Sequence, residues 1–143
     1  MNQPGLIGQM IGGAVFVDHS RYVVPDGMVI LGADEGGVHV NLRPGWLQKL
    51  TLANSRTMAF RGSDRDDIWY AAWGEITIAR RDRDSDSIFM MNGIGERVRF
   101  TGSIPREMGA FTQELLIRGV PVQRVRSTYW DVYRSRRHWR ASM

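Results

Sequence analysis

The stretch IFMMNGIGERVRFT, residues 88–101, decides the fold because it predicts a β-hairpin. Residues 88–91 form a continuous apolar run, as in a strand that is covered on both faces. Further on, Val98 and Phe100 alternate with polar residues, which is the two-residue period of a half-buried strand. The glycine-containing turn at residues 92–95 joins the two runs as neighbours in one sheet.

An amphipathic helix is predicted directly after this hairpin, over residues 104–118. Ser103 is the expected N-cap, and Pro105 lies in the first turn. Apolar residues then recur at helical spacing on one face: Ile104, Met108, Phe111 and Leu115. Gly119 can end the helix in a left-handed conformation, and Pro121 prevents its continuation. The apolar face has to cover something, and the open end or face of a sheet is the natural candidate.

Further strands are predicted on the N-terminal side of the hairpin. Alternating apolar residues indicate strands at residues 38–42 and 75–80. Continuous apolar runs at residues 22–24 and 28–31 indicate two more, which the turn Pro25-Asp26-Gly27 separates. Met58 and Phe60 suggest another strand.

The fold class that follows is mainly β (α+β). We expect a small antiparallel barrel or sandwich of about seven strands, capped by one C-terminal amphipathic helix, with arms at both termini. The predicted domain covers residues 20–122. Residues 43–67 are compatible with a short helix or with an inserted loop.

The order of these elements is similar to that of the bacterial pleckstrin-homology-like and GRAM-type small barrels. The residues that carry the resemblance are 34–40 and 73–78, followed by the hairpin at 88–101 and the helix at 104–118. Together they cover about residues 27–122. The resemblance implies binding or scaffolding rather than catalysis, although a fold alone does not determine a function.

Positive charge is concentrated at the C-terminal end of the sequence. Residues 124–143 contain six arginines and one acid, Asp131, for a net charge of +5, whereas the other residues sum to −1. We therefore predict a basic-aromatic arm at 123–143, extended or irregular, that takes its shape from what it binds. Its candidate partner-binding residues are Arg124, Arg126, Tyr129, Trp130, Tyr133, Arg134, Arg136, Arg137, Trp139 and Arg140. Such a composition suits stacking, phosphate pairing or a lipid headgroup boundary.

Residues 1–19 are predicted to form an apolar, glycine-rich N-terminal arm that leads into a strand. The arm can pack on its own domain, on a neighbouring subunit or on a membrane. We expect no signal peptide, because no basic residue precedes the apolar run, and no transmembrane segment, because Asp18 ends the run early. A cytoplasmic or virion-associated location is the expectation.

No sequence motif indicates catalysis, a cofactor or a metal site. Asp82, Asp84 and Asp86 have the spacing of a calcium loop, but Ser87 and Gly93 occupy the positions that need glycine and glutamate. A solvated turn is therefore predicted. The chain contains no cysteine and only three histidines, which are not spaced as ligands on one element: His19, His39 and His138.

Trp69 and Trp73 share one face if residues 69–73 are a strand. They are interpreted either as core residues under the helix or as an aromatic patch that contacts a partner.

These observations favour a non-catalytic structural or interaction protein that assembles into a larger complex through its terminal arms. The expected partners are protein subunits, in a homo-oligomer or in a larger assembly such as a phage neck or tail or a bacterial scaffold. The alternative is a pleckstrin-homology-like module that binds anionic lipid or nucleic acid through residues 124–143.

Overall fold

Eight β-strands form one sheet in the computed structural model, which describes residues 8–17, 22–43 and 68–133. The strands are β1 (Gly8–Phe16), β2 (Tyr22–Ala33), β3 (Gly37–Leu42), β4 (Trp69–Ala72), β5 (Ile78–Asp82), β6 (Ser87–Met91), β7 (Arg97–Gly102) and β8 (Gln123–Val125). A 3₁₀ turn (Trp73–Glu75) precedes β5, and helix α1 (Pro105–Ile117) follows β7. The spatial order is β4-β3-β2-β1-β7-β6-β5-β8, and only the β5–β8 pair is parallel. The fold is thus mainly β, and the sheet curls into a half-barrel.

The turn between β6 and β7 is bonded to the edge strand β4 across the curl. The indole Nε1 of Trp69 donates to the carbonyl of Glu96 at 2.9 Å, and Nδ2 of Asn92 donates to the carbonyl of Tyr70 at 2.8 Å. Asn92 is buried, and its Oδ1 also accepts the Glu96 N–H at 2.8 Å. One buried amide therefore shapes the turn and joins it to β4.

The main hydrophobic core lies on the inner face of the sheet, under helix α1. The predicted alternation in β3 and β7 is confirmed, and the inward side chains are fully buried: Val38, Val40, Val98 and Phe100. Met108, Phe111 and Leu115 of α1 are fully buried in the same cluster. Burying each of these side chains stabilises the fold by about 1.5–3 kcal/mol.

Helix α1 agrees with its predicted span to within one residue at each end, and Gly119 follows it with φ 84°. The predicted N-cap is wrong. The N-cap residue is Ile104, which has no side-chain capping bond and is 46% exposed. Ser103 instead donates its hydroxyl hydrogen to Oδ1 of Asp26 at 2.6 Å, because the bend in β2 brings that carboxylate within reach.

Residues 8–17 of the predicted N-terminal arm belong to the domain itself, in agreement with the alternative that the arm packs on its own domain. Strand β1 lies inside the sheet and pairs with both β2 and β7. Its glycines reflect close packing: a Cβ atom on Gly12 would lie 2.0 Å from the carbonyl oxygen of Thr101. Residues 1–7, 18 and 19 lie outside the described part of the chain.

The two strands predicted at 22–24 and 28–31 are one strand, β2, with a bulge between them. Gly12 pairs with Val29 and Ala14 pairs with Val24, so four residues of β2 face one residue of β1. Gly27, in this bulge, has φ 91°, a conformation that glycine adopts without strain. The turn signal Pro25-Asp26-Gly27 therefore bends a strand without ending it.

Two more strand predictions differ from the structure in detail. The strand predicted at residues 75–80 begins only at Ile78, because the 3₁₀ turn occupies residues 73–75. The described sheet has eight strands where about seven were predicted, because β1, β4 and β8 were not counted whereas the two strands predicted in β2 are one. The strand suggested at residues 58 and 60, and the question of helix or loop at 44–67, lie outside the described residues.

Candidate functional site

Residues 123–133, called the docked segment below, are part of the folded domain. They begin with β8, which pairs with β5, and end in a helical turn at residues 129–133. The prediction of an extended or irregular arm from residue 123 onward is therefore wrong for this part. The remaining predicted residues of the arm lie outside the described part of the chain: Arg134, Arg136, Arg137, Trp139 and Arg140.

The docked segment covers the outer face of the sheet, opposite to helix α1. The strand registers place four outward side chains in one row across β1, β7, β6 and β5: Val15, Arg99, Phe89 and Arg80. Val132 packs on Phe89 and Val17 in a second, small hydrophobic cluster. This apolar cluster is small, and polar contacts also hold the segment on the sheet.

An ion pair between Arg80 and Asp131 anchors the helical turn. Nη1 of Arg80 lies 2.7 Å from Oδ1 of Asp131, and Nε of Arg80 donates to Oε1 of Gln123 at 3.0 Å. The Asp131 side chain is 8% exposed and that of Arg80 is 33% exposed. Oδ2 of Asp131 is also buried, and no donor among the described residues reaches it.

A second polar contact joins Thr128 to β5 and β7. Nε of Arg99 donates to the Thr128 hydroxyl at 2.8 Å, and the Thr128 N–H donates to Oδ2 of Asp82 at 3.3 Å. Burial lowers the pKa of Arg99, and the opposite charge of Asp82 counteracts that shift. Burial raises the pKa of Asp82, but hydrogen bonds from Asp84, Ser85 and Thr128 and the charge of Arg99 outweigh it and lower this pKa overall.

The solvated turn predicted for Asp82, Asp84 and Asp86 is therefore wrong for Asp82. Its side chain is buried, whereas Asp84 is exposed and Asp86 pairs with Arg81 at 3.4 Å. The sequence pattern gave no indication that Asp82 is buried, because the donors that hold its carboxylate include the N–H of Thr128, which is 46 residues away.

Three aromatic side chains of the docked segment face solvent. Tyr129, Trp130 and Tyr133 are 58%, 55% and 44% exposed. The Tyr129 and Trp130 rings lie edge to face with centroids 5.8 Å apart, and the Trp130 and Tyr133 rings do so at 5.9 Å. Arg124 and Arg126 are exposed as well, and neither forms an ion pair with a described residue. We call these five residues the basic-aromatic surface.

The aromatic patch suggested for Trp69 and Trp73 is not an exposed surface. Trp69 is 2% exposed and belongs to the main core. Trp73 is half-buried; its Nε1 donates to the carbonyl of Asp34 at 2.8 Å, and the guanidinium of Arg118 lies 5.1 Å from its ring centroid. Trp69 and Trp73 do not lie on the same face of one strand, because β4 ends at Ala72 and Trp73 begins the 3₁₀ turn.

His39 is the one histidine in the described part of the chain. His39 lies on the outer side of β3, with Nε2 3.6 Å from Oδ2 of Asp34. Within residues 8–17, 22–43 and 68–133, no group of three potential ligand side chains is placed to hold a metal ion. No helix in this part of the chain combines the length and the apolar character needed to cross a membrane.

Four residues that anchor the docked segment were not predicted as site residues: Arg80, Asp82, Arg99 and Thr128. The sequence offered one usable signal, namely that Asp131 is the single acid in a run of arginines. A lone carboxylate in such a run is a good candidate for an ion pair with the folded domain. Its partner, Arg80, is 51 residues away, and local patterns do not identify contacts at that distance.

No protein-family model matches the chain, and no curated protein matches it. The similarity to pleckstrin-homology-like and GRAM-type barrels stays a prediction.

Proposed function

We propose that this chain is a non-catalytic structural or interaction protein that assembles into a larger complex. Examples of such a complex are a phage neck or tail and a bacterial scaffold. One observation carries the proposal: three large aromatic side chains are exposed together on a segment that is itself anchored to the sheet. Residues 1–7, which are uncharged, are proposed on their sequence alone as a second contact.

The three exposed rings leave a large apolar area in contact with water. Phe, Tyr and Trp side chains each bury about 150–250 Å² when they are covered, so leaving three of them in water forgoes a large hydrophobic contribution. The ion pair of Arg80 with Asp131 and the hydrogen bonds of Thr128 fix the backbone beneath the rings. A fixed contact surface loses less conformational entropy on binding than a disordered arm does. Tyr, Trp and Arg are also the residues that most often dominate binding energy in protein interfaces.

Light scattering coupled to size-exclusion chromatography tests the proposal. We expect the purified protein to form species larger than the monomer, and the double variant Trp130→Ser/Tyr133→Ser to shift toward the monomer. Ile94→Ser is the control, because Ile94 is 81% exposed in the β6–β7 turn and is not part of the docked segment. A protein that is monomeric at every concentration, and that is unchanged by removal of residues 134–143, contradicts the proposal.

The alternative function is binding of anionic lipid or nucleic acid. The exposure of Arg124 and Arg126 without a described acidic partner is the observation that favours it. Retention on heparin or on anionic liposomes that falls steeply with salt would support this alternative. Absence of retention at low salt would exclude it.

A further inference from the structure

The basic-aromatic surface carries positive charge that the described residues do not neutralise. Two buried acids beside it are already engaged: Asp131 pairs with Arg80, and Asp82 interacts with Arg99 and Thr128. Arg124 and Arg126 are exposed without such a partner, and residues 132–143 of the sequence add four more arginines and no acid. A partner that covers this surface therefore has to supply anionic groups.

We infer that the partner of the basic-aromatic surface is a protein surface rich in carboxylates. This inference rests on the proposed function and adds the chemistry of the partner to it. Arginine forms two parallel hydrogen bonds with a carboxylate, and the exposed rings supply the apolar contact that a protein interface needs around such pairs. The combination of Arg, Trp and Tyr on one docked segment matches the residues that dominate protein interfaces.

Two features of the surface favour carboxylates over the phosphates of a nucleic acid. First, Arg80 and Arg81 of the neighbouring strand β5 are charge-compensated, since each forms an ion pair. A nucleic-acid footprint normally continues over the folded surface as uncompensated charge. Second, Tyr129, Trp130 and Tyr133 stand edge to face on one helical turn, whereas bases stack on ring faces that follow a groove.

Fluorescence anisotropy with a fluorescein-labelled peptide of alternating glutamate and leucine tests the inference on the full chain at low salt. We expect binding that weakens as salt is added. Arg124→Gln/Arg126→Gln should weaken it roughly threefold to tenfold, and Trp130→Ser by about tenfold or more. Arg106→Gln, which removes one exposed arginine from helix α1, is the control for a loss of positive charge elsewhere and should leave the affinity unchanged.

Two comparison probes at the same salt concentration separate the partner classes: a thymidine oligonucleotide and phosphatidylserine vesicles. Binding of either probe that depends on Trp130, with no binding of the peptide, overturns the inference. Peptide binding that falls equally in Arg106→Gln also overturns it, because the attraction is then due to net charge alone. If light scattering shows assembly but the peptide neither binds the protein nor reduces that assembly, the inference fails and the proposed function stands. A monomeric chain that binds no peptide contradicts both.

Discussion

At the scale of single residues, Arg80 and Asp131 are unequal partners in one ion pair. Asp131 is buried almost completely and has a second carboxylate oxygen that no described donor reaches, whereas a third of the Arg80 side chain is exposed. Loss of the aspartate leaves an arginine that water can solvate. Loss of the arginine leaves a buried carboxylate without its cation.

The two substitutions should therefore differ in cost. Asp131→Asn should lower the free energy of unfolding by about 1 kcal/mol, since the exposed part of Arg80 is rehydrated. Arg80→Met should lower it by about 3 kcal/mol, because the buried charge stays behind. Urea unfolding monitored by circular dichroism gives both values. Equal costs, or a larger cost for Asp131→Asn, would show that the pair does not hold the segment in this way.

Asp82 predicts a pH dependence of stability. Its pKa is lowered in the folded protein, so its contribution is complete above the ordinary carboxyl range and is lost as the pH falls through the lowered value. Asp82→Asn removes that contribution at every pH. The stability difference between wild type and Asp82→Asn should thus be largest near neutral pH and should shrink below about pH 4. Thermal unfolding across this pH range measures the difference, and a constant difference contradicts the assignment.

At the scale of secondary-structure elements, the hairpin and helix α1 could be predicted because their signals are local. The alternation around Val98 and the stop at Gly119 are properties of neighbouring residues. Strand β1 was missed because its glycines resemble a flexible segment, and only the strands beside it explain them. Close approach to Thr101, a residue 89 positions beyond Gly12, is not visible in a local pattern.

Glycine substitutions in β1 and α1 test this explanation. A Cβ atom at Gly12 meets a backbone oxygen that cannot move without shifting β7, whereas a Cβ atom at Gly109 has nothing within 4 Å. Gly12→Ala should therefore destabilise the fold by more than about 2 kcal/mol. Gly109→Ala should stabilise it by about 0.5–1 kcal/mol through helix propensity. Chemical denaturation of both variants checks that the two changes in the free energy of unfolding have opposite signs. A Gly12→Ala variant with unchanged stability contradicts the placement of β1.

At the scale of the whole molecule, the curled sheet is covered on its two faces by different means. Helix α1 covers the inner face with fully buried apolar side chains, while the docked segment covers part of the outer face mainly through polar contacts. The part of the candidate site predicted from sequence is the exposed one: Tyr129, Trp130, Tyr133, Arg124 and Arg126. The anchoring part was not predicted, because its ion pairs and hydrogen bonds join residues far apart in the chain.

Two shortened chains separate the anchored part from the rest. A chain ending at Tyr133 retains the docked segment and should unfold at nearly the temperature of the full chain. A chain ending at Val122 lacks β8 and the helical turn, which exposes Phe89 and leaves Asp82 and Arg99 without Thr128. We expect it to unfold at least several degrees lower. Differential scanning calorimetry compares the three chains, and equal unfolding temperatures would contradict docking.

The proposed contact surface depends on the docking of residues 128–133 on the sheet, and amide hydrogen exchange tests this docking most directly. The Thr128 N–H donates to Asp82, and the N–H groups of Asp131 and Val132 donate to the Thr128 carbonyl. We predict that these three amides exchange slowly in the wild type and faster in Asp82→Asn, while the amide of Val40 in the core is unaffected. Exchange of all three at the rate of an unfolded chain in the wild type would contradict the docking.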